Sequence, residues 1–506
     1  MSDNFIYNDV PYPSFTFSQT HPDRLATIAK LYGLTPAKIE NCRVLELGCG
    51  DGSNLNWMAH TVPASNFVGI DLSKKHIDDA KIAAAEIGLT NAEFHELDVL
   101  KVNAETFGKF DYIIAHGLYS WVPDFVREKV LQIYDEMLTE NGIGYISYNV
   151  FPGCHLRDLT RNMMRFHVKD IAEPLVQVAE SLQFIEFLGE NLEKENLYGQ
   201  IIRKEFSQMT DRTRENIFHD DLSDINQPFY FNEFVADAEK NNLQFLSEAE
   251  FYSSQTLQFA PKIRELLASF GDDIIKTEQY LDFVKGRRFR QTLLCRKNIN
   301  INRRISPEIL RDFSLASQVK CASSNPNLKP KAVEKFISAS TATFQLDHAL
   351  TKTALVYLSK KWSKSIKFND LIAESTALLK KENCEVSNED IETTTAILFQ
   401  LFSAGFIKLH VFEPNFTTEI RDKPEVSRFA RWQAKNGETV TSFTGLSLSL
   451  EDDLVRKLLL LPDGKRDKKA VLAELKKDKK LKHINNLPQL YDNNLSQMAK
   501  NGLLAA

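Results

Sequence analysis

The 506-residue chain contains no stretch approaching the ~18 consecutive apolar residues of a membrane span, which argues against an integral helical membrane protein. Its first residues, MSDNFIYNDVPYPSF, lack the basic start and apolar core of a secretion signal, so the expected location is cytoplasmic. Cysteine is sparse: the six thiols, at 42, 49, 154, 295, 321 and 384, form no CxxC pair. That spacing excludes ribbon-type zinc sites and suits a reducing compartment. Positive charge is scarce where it would matter for binding nucleic acid. Residues 1–150 carry 20 acidic against 11 basic side chains, whereas 451–506 carry 8 against 12, within a net charge of −6. An acidic N-terminal part repels phosphates and favours a cationic partner, although a negative face is also what plain solvation produces. At this length the chain exceeds one hydrophobic core, and two or three domains are expected.

What is present, from Arg43 onward, is an alternation of short apolar runs and helical spacing. RVLELG, NFVGID, AEFHELD, FDYIIAHG and GIGYISYN read as strands. Between them SNLNWMAHTV, SKKHIDDAKIAAAEIG (with Ser73 as N-cap) and VREKVLQIYDEML read as helices. This order predicts an α/β, doubly wound parallel sheet with ligands at the carboxyl ends of its strands. Two further strands come far downstream: QFLSEAEF, after the helix FYFNEFVADAEKNNL, and FRQTLLCRKN near 289–298. The intervening 150–225 is mostly helical and reads as an insertion over the site.

The first strand runs into VLELGCGDGSN. A dinucleotide fold would place its third glycine at 53, which is Ser53, and the Gly-Lys-Ser/Thr of a phosphate loop is absent. The spacing of Gly48, Gly50 and Gly52 behind Glu46 instead resembles the first motif of class I S-adenosylmethionine-dependent methyltransferases. Asp71 closes the second strand, where a carboxylate can accept two ribose hydroxyls. Asp98 closes the third, where members of that family meet the adenine amino group. Both acids would also serve as turn caps.

AHGLYSWVPD follows the fourth strand at the predicted mouth of the pocket. Tyr119 and Trp121 either offer π faces to a cationic acceptor or simply pack the loop. Asn149 ends the fifth strand and can accept a hydrogen bond from an attacking amine. His116 is either a proton acceptor or, more ordinarily, a packing residue beside adenine. Tyr12, Phe17 and Arg24, on the segment before the first strand, can fold over the cofactor, Arg24 pairing with its carboxylate; an ordinary surface helix is the competing reading.

YPSFTFSQTHPDRLATIAKLYG, VLELGCGDGSN, AHGLYSWVP, YISYNVFPGCH, YLDFVKGRRFRQTLLCR and RWQAKNGETVTSF together resemble bacterial methyltransferases with a so-called regulatory domain. Within that group the layout is similar to rickettsial protein-lysine methyltransferases that modify outer membrane protein B. The resemblance runs from about residue 7 to the C-terminus. SFTGLSL departs from its more usual Val-Thr-Asn-x-x-His near 440. It implies a Rossmann-like methyltransferase domain at 1–300, a middle helical, winged-helix-like domain at 301–415 and a C-terminal winged-helix-like domain at 416–506. It further implies S-adenosylmethionine as cofactor, held by Tyr12, Phe17, Arg24, Glu46, Gly48, Cys49, Gly50, Gly52, Asn54, Asp71, Leu72, Asp98, Val99 and His116. Tyr119, Trp121 and Asn149 would serve catalysis without a metal. The implied partner is a protein substrate carrying lysine, outer-membrane-protein-like by the resemblance, with no nucleic acid and no membrane insertion. A small-molecule methyltransferase and a non-catalytic cofactor-binding protein remain the alternatives.

Past residue 320, CASSNPNLKPKAVEK reads as a linker or loop. DHALTKTALVYLSKKW, IKF, NDLIAESTALLKK, NEDIETTTAILFQLFSAGF and IKLHVFEP then follow in winged-helix order, which 451–506 repeats loosely. The third helix, 388–406, contains no Lys or Arg, so the usual DNA-reading surface has no phosphate-neutralising charge. The Lys run at 476–482 fits a solvated face better than an acidic-partner site.

Overall fold

The computed structural model describes residues 10, 12, 15–450, 452–479, 481, 484 and 486–506. Its centre is a seven-stranded sheet in the order β3-β2-β1-β4-β5-β7-β6. The strands are β1 (Arg43–Leu47), β2 (Asn66–Asp71), β3 (Ala92–Glu96), β4 (Phe110–Ala115), β5 (Leu138–Asn149), β6 (Leu243–Glu248) and β7 (Phe289–Arg296). β1 to β5 pair in parallel, whereas β7 lies antiparallel between β5 and β6. Side chains on a strand alternate between faces, and β1 shows why this sheet needs two cores. Val44 joins the apolar cluster under helices α1 (Pro22–Leu31), α2 (Ser53–Thr61) and α3 (Lys74–Ile87). Leu45 and Leu47 join the opposite cluster, under α5 (Asp124–Met137) and α10 (Phe231–Lys240), with the short α4 (Ala104–Phe107) at its margin.

After β5 the chain leaves the sheet, as the sequence predicts, for a helical excursion: α6 (Cys154–Val168), α7 (Pro174–Asn191), α8 (Leu197–Met209) and α9 (Arg214–Ile217). These helices bury a small core of their own, to which Val10 of the N-terminal segment contributes. Beyond β6 come α11 (Pro261–Ala268) and α12 (Ile274–Lys285). α12 supplies the partners that fix β7. Arg290 on β7 is fully buried and bonds Glu248 at the end of β6 (2.7 Å), Glu278 (3.0 Å) and Asp282 (2.8 Å) on α12. Burial drives the Asp282 carboxyl up to about 6 despite that guanidinium. The same guanidinium holds Glu248 below the usual range against the cost of burial.

The middle module does not have a core to itself. β8 (Ser314–Ala316), α13 (Ala349–Lys361), α14 (Phe368–Lys381), α15 (Asn388–Ser403) and β13 (Lys408–His410) pack into the cluster that lies under α1 and α2. β12 (Ile366–Lys367) and β13 flank β8 in a three-stranded sheet. The polar stretch 321–335, expected as a linker or loop, is irregular from 322 to 333 and bounded by short strands. β9 (Lys320–Cys321), β10 (Glu334–Ile337) and β11 (Thr343–Leu346) form a small antiparallel sheet, which buries Phe336 against Phe344. The last module has a separate core built from α16 (Arg428–Asn436), α17 (Asp453–Leu460), α18 (Lys468–Leu475) and α19 (Leu487–Lys500). Lys480 and Lys482 of the basic run lie outside the described residues. Among the described residues no helix is long and apolar enough to cross a membrane.

Replacing Arg290 by Met removes one cation from among three buried carboxylates. The expected loss is about 3–5 kcal/mol of unfolding free energy at neutral pH, measured by denaturant titration. Part of it should be recovered toward pH 5, where the uncompensated carboxyls can protonate.

Candidate functional site

The site grows from the end of β1. Gly48 and Gly50 both adopt left-handed backbone (φ 69° and 53°), and a Cβ built on Gly50 would meet nothing within 4 Å. Gly52, at φ 71°, is pressed against Ala80 and Phe94, where a Cβ would approach to 2.7 Å. One glycine therefore turns the chain toward open space, and the next lets α2 start flush against α3 and β3. Asp71, ending β2, fixes this turn: Oδ2 accepts from the Gly50 amide (2.9 Å) and Oδ1 from the Ser73 amide (2.8 Å).

Glu46 points to the α1–α2 face and is 3% exposed. Its Oε1 accepts from Asn54 Nδ2 (2.7 Å), while Oε2 is buried with no protein partner. Burial, with Asp51 and Asp71 nearby, pushes its carboxyl up to about 8. Asn54 in turn accepts the Phe17 amide (2.9 Å) and donates to Thr20 Oγ1 (3.0 Å). The segment before α1 is thereby tied to the glycine turn. The Phe17 ring lies 3.9 Å from that of His116, whose Nδ1 is paired with the Tyr145 hydroxyl at 2.9 Å. Burial lowers the His116 pKa to about 4, so its imidazole is neutral at physiological pH.

The other expected contacts divide. Leu72 is exposed and Val99 half-buried, next to half-buried Asp98, whose Oδ1 caps the turn at the Leu100 amide (3.0 Å). Tyr12 sits 5.6 Å from His219, against the helical excursion; the prolines on either side of it, Pro11 and Pro13, lie outside the described residues. The Cys49 side chain is buried, and its sulfur would lie 2.9 Å from a Cβ at Gly69, so it packs on β2.

Two expectations need correction. Tyr119 is 2% exposed, with its ring among Tyr148, Phe229 and Phe234. It belongs to the apolar core under α10 and offers no face to a ligand. The chain turns after β4 so that Tyr119 points into the core, whereas Trp121 stays half-buried. Arg24 does not join the glycine-turn cluster either. It lines a separate cavity with Lys408 and Trp57, and no residue of the 46–54 turn lines that cavity. The helix α1 that carries Arg24 is held by Asp23, which accepts the Val411 and Phe412 amides (2.9 and 2.8 Å), and so faces the middle module.

Asn149 ends β5 as predicted, 4% exposed, with its amide nitrogen donating to Asn226 Oδ1 at 2.7 Å. Asn226 is a residue the sequence did not single out, and its own Nδ2 is buried without a partner. The only available signal was the pair Asn226-Gln227 before Pro228, where the helical excursion rejoins the sheet. Arg157 of α6 was also missed; its guanidinium lies 5.9 Å from the Trp121 ring and is held by buried Asp221 at 2.9 Å.

The residues present can accommodate a ligand: the turn opens at Gly50, and two buried polar atoms, Glu46 Oε2 and Asn226 Nδ2, await partners. Comparison with known proteins says which ligand. The methyltransferase domain family matches residues 38–209, the predicted methyltransferase regulatory domain matches 213–296, and the PKMT C-terminal winged helix domain matches 422–501. An uncharacterized protein of Rickettsia prowazekii is 32% identical over 94% of this chain and 86% of its own length. The structure of PKMT2 from Rickettsia typhi superposes with a TM-score of 0.88 at 30% identity, covering 98% of this chain and 100% of that one. PKMT2 has also been solved in complex with AdoHcy, with the same TM-score at 29% identity. The chain belongs to the class I S-adenosylmethionine-dependent methyltransferases that carry a regulatory domain and a PKMT-type C-terminal winged helix.

Glu46 gives this assignment a binding signature. Without a ligand its carboxyl, at about 8, is protonated at pH 7; a bound cationic cofactor favours the carboxylate. S-adenosylmethionine affinity is expected to tighten as pH rises from about 6.5 to 8, where the free carboxyl ionises, and then level off. Calorimetry at pH 7 in buffers of different ionisation enthalpy should detect a released proton that Glu46→Gln abolishes. A second expectation concerns Asp71→Ala, which frees the Gly50 amide and weakens cofactor binding by about tenfold or more, one charge-assisted bond being worth ~1.5–3 kcal/mol. The check is a titration on a variant whose unfolding curve shows it to be folded.

Proposed function

We propose that this protein methylates lysine side chains of a protein substrate. The observation that carries the reading is the Asn149–Asn226 amide pair at the end of β5, buried yet with one amide nitrogen unpaired, beside a half-buried tryptophan. In this reading Gly48–Gly52 and Glu46 border the amino-acid end of the cofactor. Asp71 accepts the ribose hydroxyls, and Leu72, Asp98 and Val99 flank the adenine. Phe17, beside His116, closes over the top, with Tyr12 further along the same segment. Bound S-adenosylmethionine supplies an electrophilic methyl group; the chain's task is to bring a free amine lone pair in line with it, within ~3–3.5 Å.

An amine nucleophile needs an acceptor for one of its N–H bonds, so that its lone pair points away from that bond and toward the methyl group. The Asn149 side-chain oxygen offers that acceptor, held in place by the hydrogen bond that its amide nitrogen donates to Asn226. Trp121 offers a ring face to the alkylammonium that forms, which a quadrupole attracts by ~0.5–2 kcal/mol. His116 is unsuited to proton removal, because its Nδ1 is engaged by Tyr145 and burial keeps its basicity low. The proton therefore leaves the lysine for solvent before attack, and partial desolvation beside a sulfonium lowers the amine pKa from about 10.4. A protein acceptor also accords with the acidic first 150 residues and with the likeness to PKMT2 over the whole chain. An outer membrane protein of the type suggested by the sequence resemblance is the substrate to try first.

Incubation with methyl-labelled cofactor and a protein extract, read by mass spectrometry, should place label on lysine residues. Label confined to small solutes would replace this reading with a metabolite methyltransferase, and absence of transfer would leave a cofactor-binding protein. At saturating cofactor the rate should climb between about pH 7 and 9. Asn149→Ala should lower turnover by about tenfold to a hundredfold, the worth of a hydrogen bond of ~1.5–3 kcal/mol, with little change in cofactor affinity.

A further inference from the structure

The cavity that Arg24 lines lies where three parts of the molecule meet: α1 and α2 from the methyltransferase domain, β13 from the middle module, and the 443–444 turn of the last module. It encloses about 50 Å³ and opens to solvent. Its walls carry charge of both signs, but the two signs are not equally engaged. Asp23 accepts from His410 Nδ1 (2.7 Å) and two backbone amides. Glu413 accepts from Lys364 (2.9 Å) and from the Ser365 amide and hydroxyl (2.6 and 2.7 Å). Both carboxylates are thus saturated. Among the described residues, Arg24 and Lys408 have no ion pair or side-chain hydrogen bond at all, although they lie close enough for each to feel the other's charge. Glu250 acts on Lys408 in the opposite sense to Arg24. Lys408 keeps an exposed flank, yet protein crowded round its ammonium, and next the Arg24 charge, lower its pKa. A third donor is orphaned on the same wall: Ser363 is 3% exposed and its hydroxyl has no partner.

Two like charges and a buried hydroxyl without acceptors define the missing group by its chemistry. We propose that this cavity binds a small multivalent oxyanion, of the size and charge of inorganic phosphate, at a site separate from the methyl-donor pocket. Arg24 supplies a planar fork of donors and Lys408 a point charge, which together suit tetrahedral oxygens. The aromatic walls, Trp57 and Phe443, exclude water on two sides and raise the worth of each charge. Carbonate and carboxylates present fewer or coplanar oxygens and should bind less tightly. Because Arg24 lies on α1 and Lys408 on β13, occupation would hold α1 of the methyltransferase domain against the middle module.

The test is a titration of the full-length protein with inorganic phosphate in a chloride buffer, by calorimetry and by thermal unfolding. The expected result is one saturable site per chain, in the low-millimolar range or tighter, with a rise in Tm. Lys408→Gln should weaken it by about tenfold, and Lys408→Arg should retain it. The melting temperature of each variant without phosphate shows whether it is folded. Binding should persist with S-adenosylhomocysteine at saturation. Absence of a saturable site, equal binding by Lys408→Gln, or loss of phosphate binding when S-adenosylhomocysteine is added would each overturn the proposal. The last of these would return Arg24 to the cofactor's own carboxylate. None of these outcomes depends on whether the protein methylates lysine, so the two readings fail independently.

Discussion

A single buried carboxylate organises the methyl-donor side of this molecule. Glu46 lies near the end of β1 with one oxygen bound to Asn54 and the other unpaired, in surroundings that push its proton affinity up to about 8. Asn54 is the second residue of α2, so the same hydrogen bond fixes the register of the helix that leaves the glycine turn. Its amide also reaches Phe17 and Thr20, which draws the N-terminal segment across the strand ends. Without Glu46 the Asn54 amide would have no reason to be buried, and the segment that covers the turn would lose its anchor. Burying a carboxyl with one unpaired oxygen is unfavourable for the empty protein. A cationic ligand reverses that sign, so the same residue that burdens the fold favours the complex.

The far side of α2 is held just as firmly. Trp57 Nε1 donates to the Ser442 carbonyl (3.0 Å), the Ser427 hydroxyl pairs with His60 (3.0 Å), and the His60 ring stacks 5.1 Å from Phe443. Thr16, next to Phe17, pairs with Thr441 at 2.9 Å. The departure of SFTGLSL from the usual motif thus falls on a segment that serves as a backing for α2 and the N-terminal segment. Apart from the Phe443 ring, its contacts run through backbone carbonyls, small hydroxyls and a glycine, Gly445, whose missing Cβ leaves room for Ser18 and Trp57. Such contacts depend on shape more than on side-chain identity, which explains how the motif can change while the packing is kept.

Much of this was legible in the sequence because it rests on local rules. The period-two strands, the spacing of Gly48, Gly50 and Gly52, and acids at the ends of β2 and β3 are each set by steric or hydrogen-bonding needs within a few residues. They led to the doubly wound sheet and the cofactor. The errors arose where a side chain's direction depends on distant packing. Tyr119 and Trp121 are two residues apart on one loop, yet one is in the core and the other stays half-buried. The difference comes from Phe229 and Phe234, more than a hundred residues away. Arg24 follows the tilt of α1, which Asp23 sets through amides of the middle module. Asn226 could not be read at all, since its meaning exists only opposite Asn149.

The same distinction separates the cofactor from the acceptor. In the proposed reading the residues that meet the methyl donor lie at the ends of the first strands and on the segment that precedes them, so the donor site is assembled early in the chain. The proposed acceptor side combines Trp121, Asn149, Asn226 and, over the tryptophan ring, Arg157 on the helical excursion. Arg157 is itself fixed by Asp221, which a second guanidinium, Arg212, also binds at 2.6 Å. Two arginines on one fully buried carboxylate leave that aspartate little freedom to move, since breaking either pair strands a charge in the interior. The orientation of Trp121 is therefore tied to helices that have a core of their own. A change of substrate within this fold can come from repacking the excursion, while the glycine turn and its buried glutamate stay as they are.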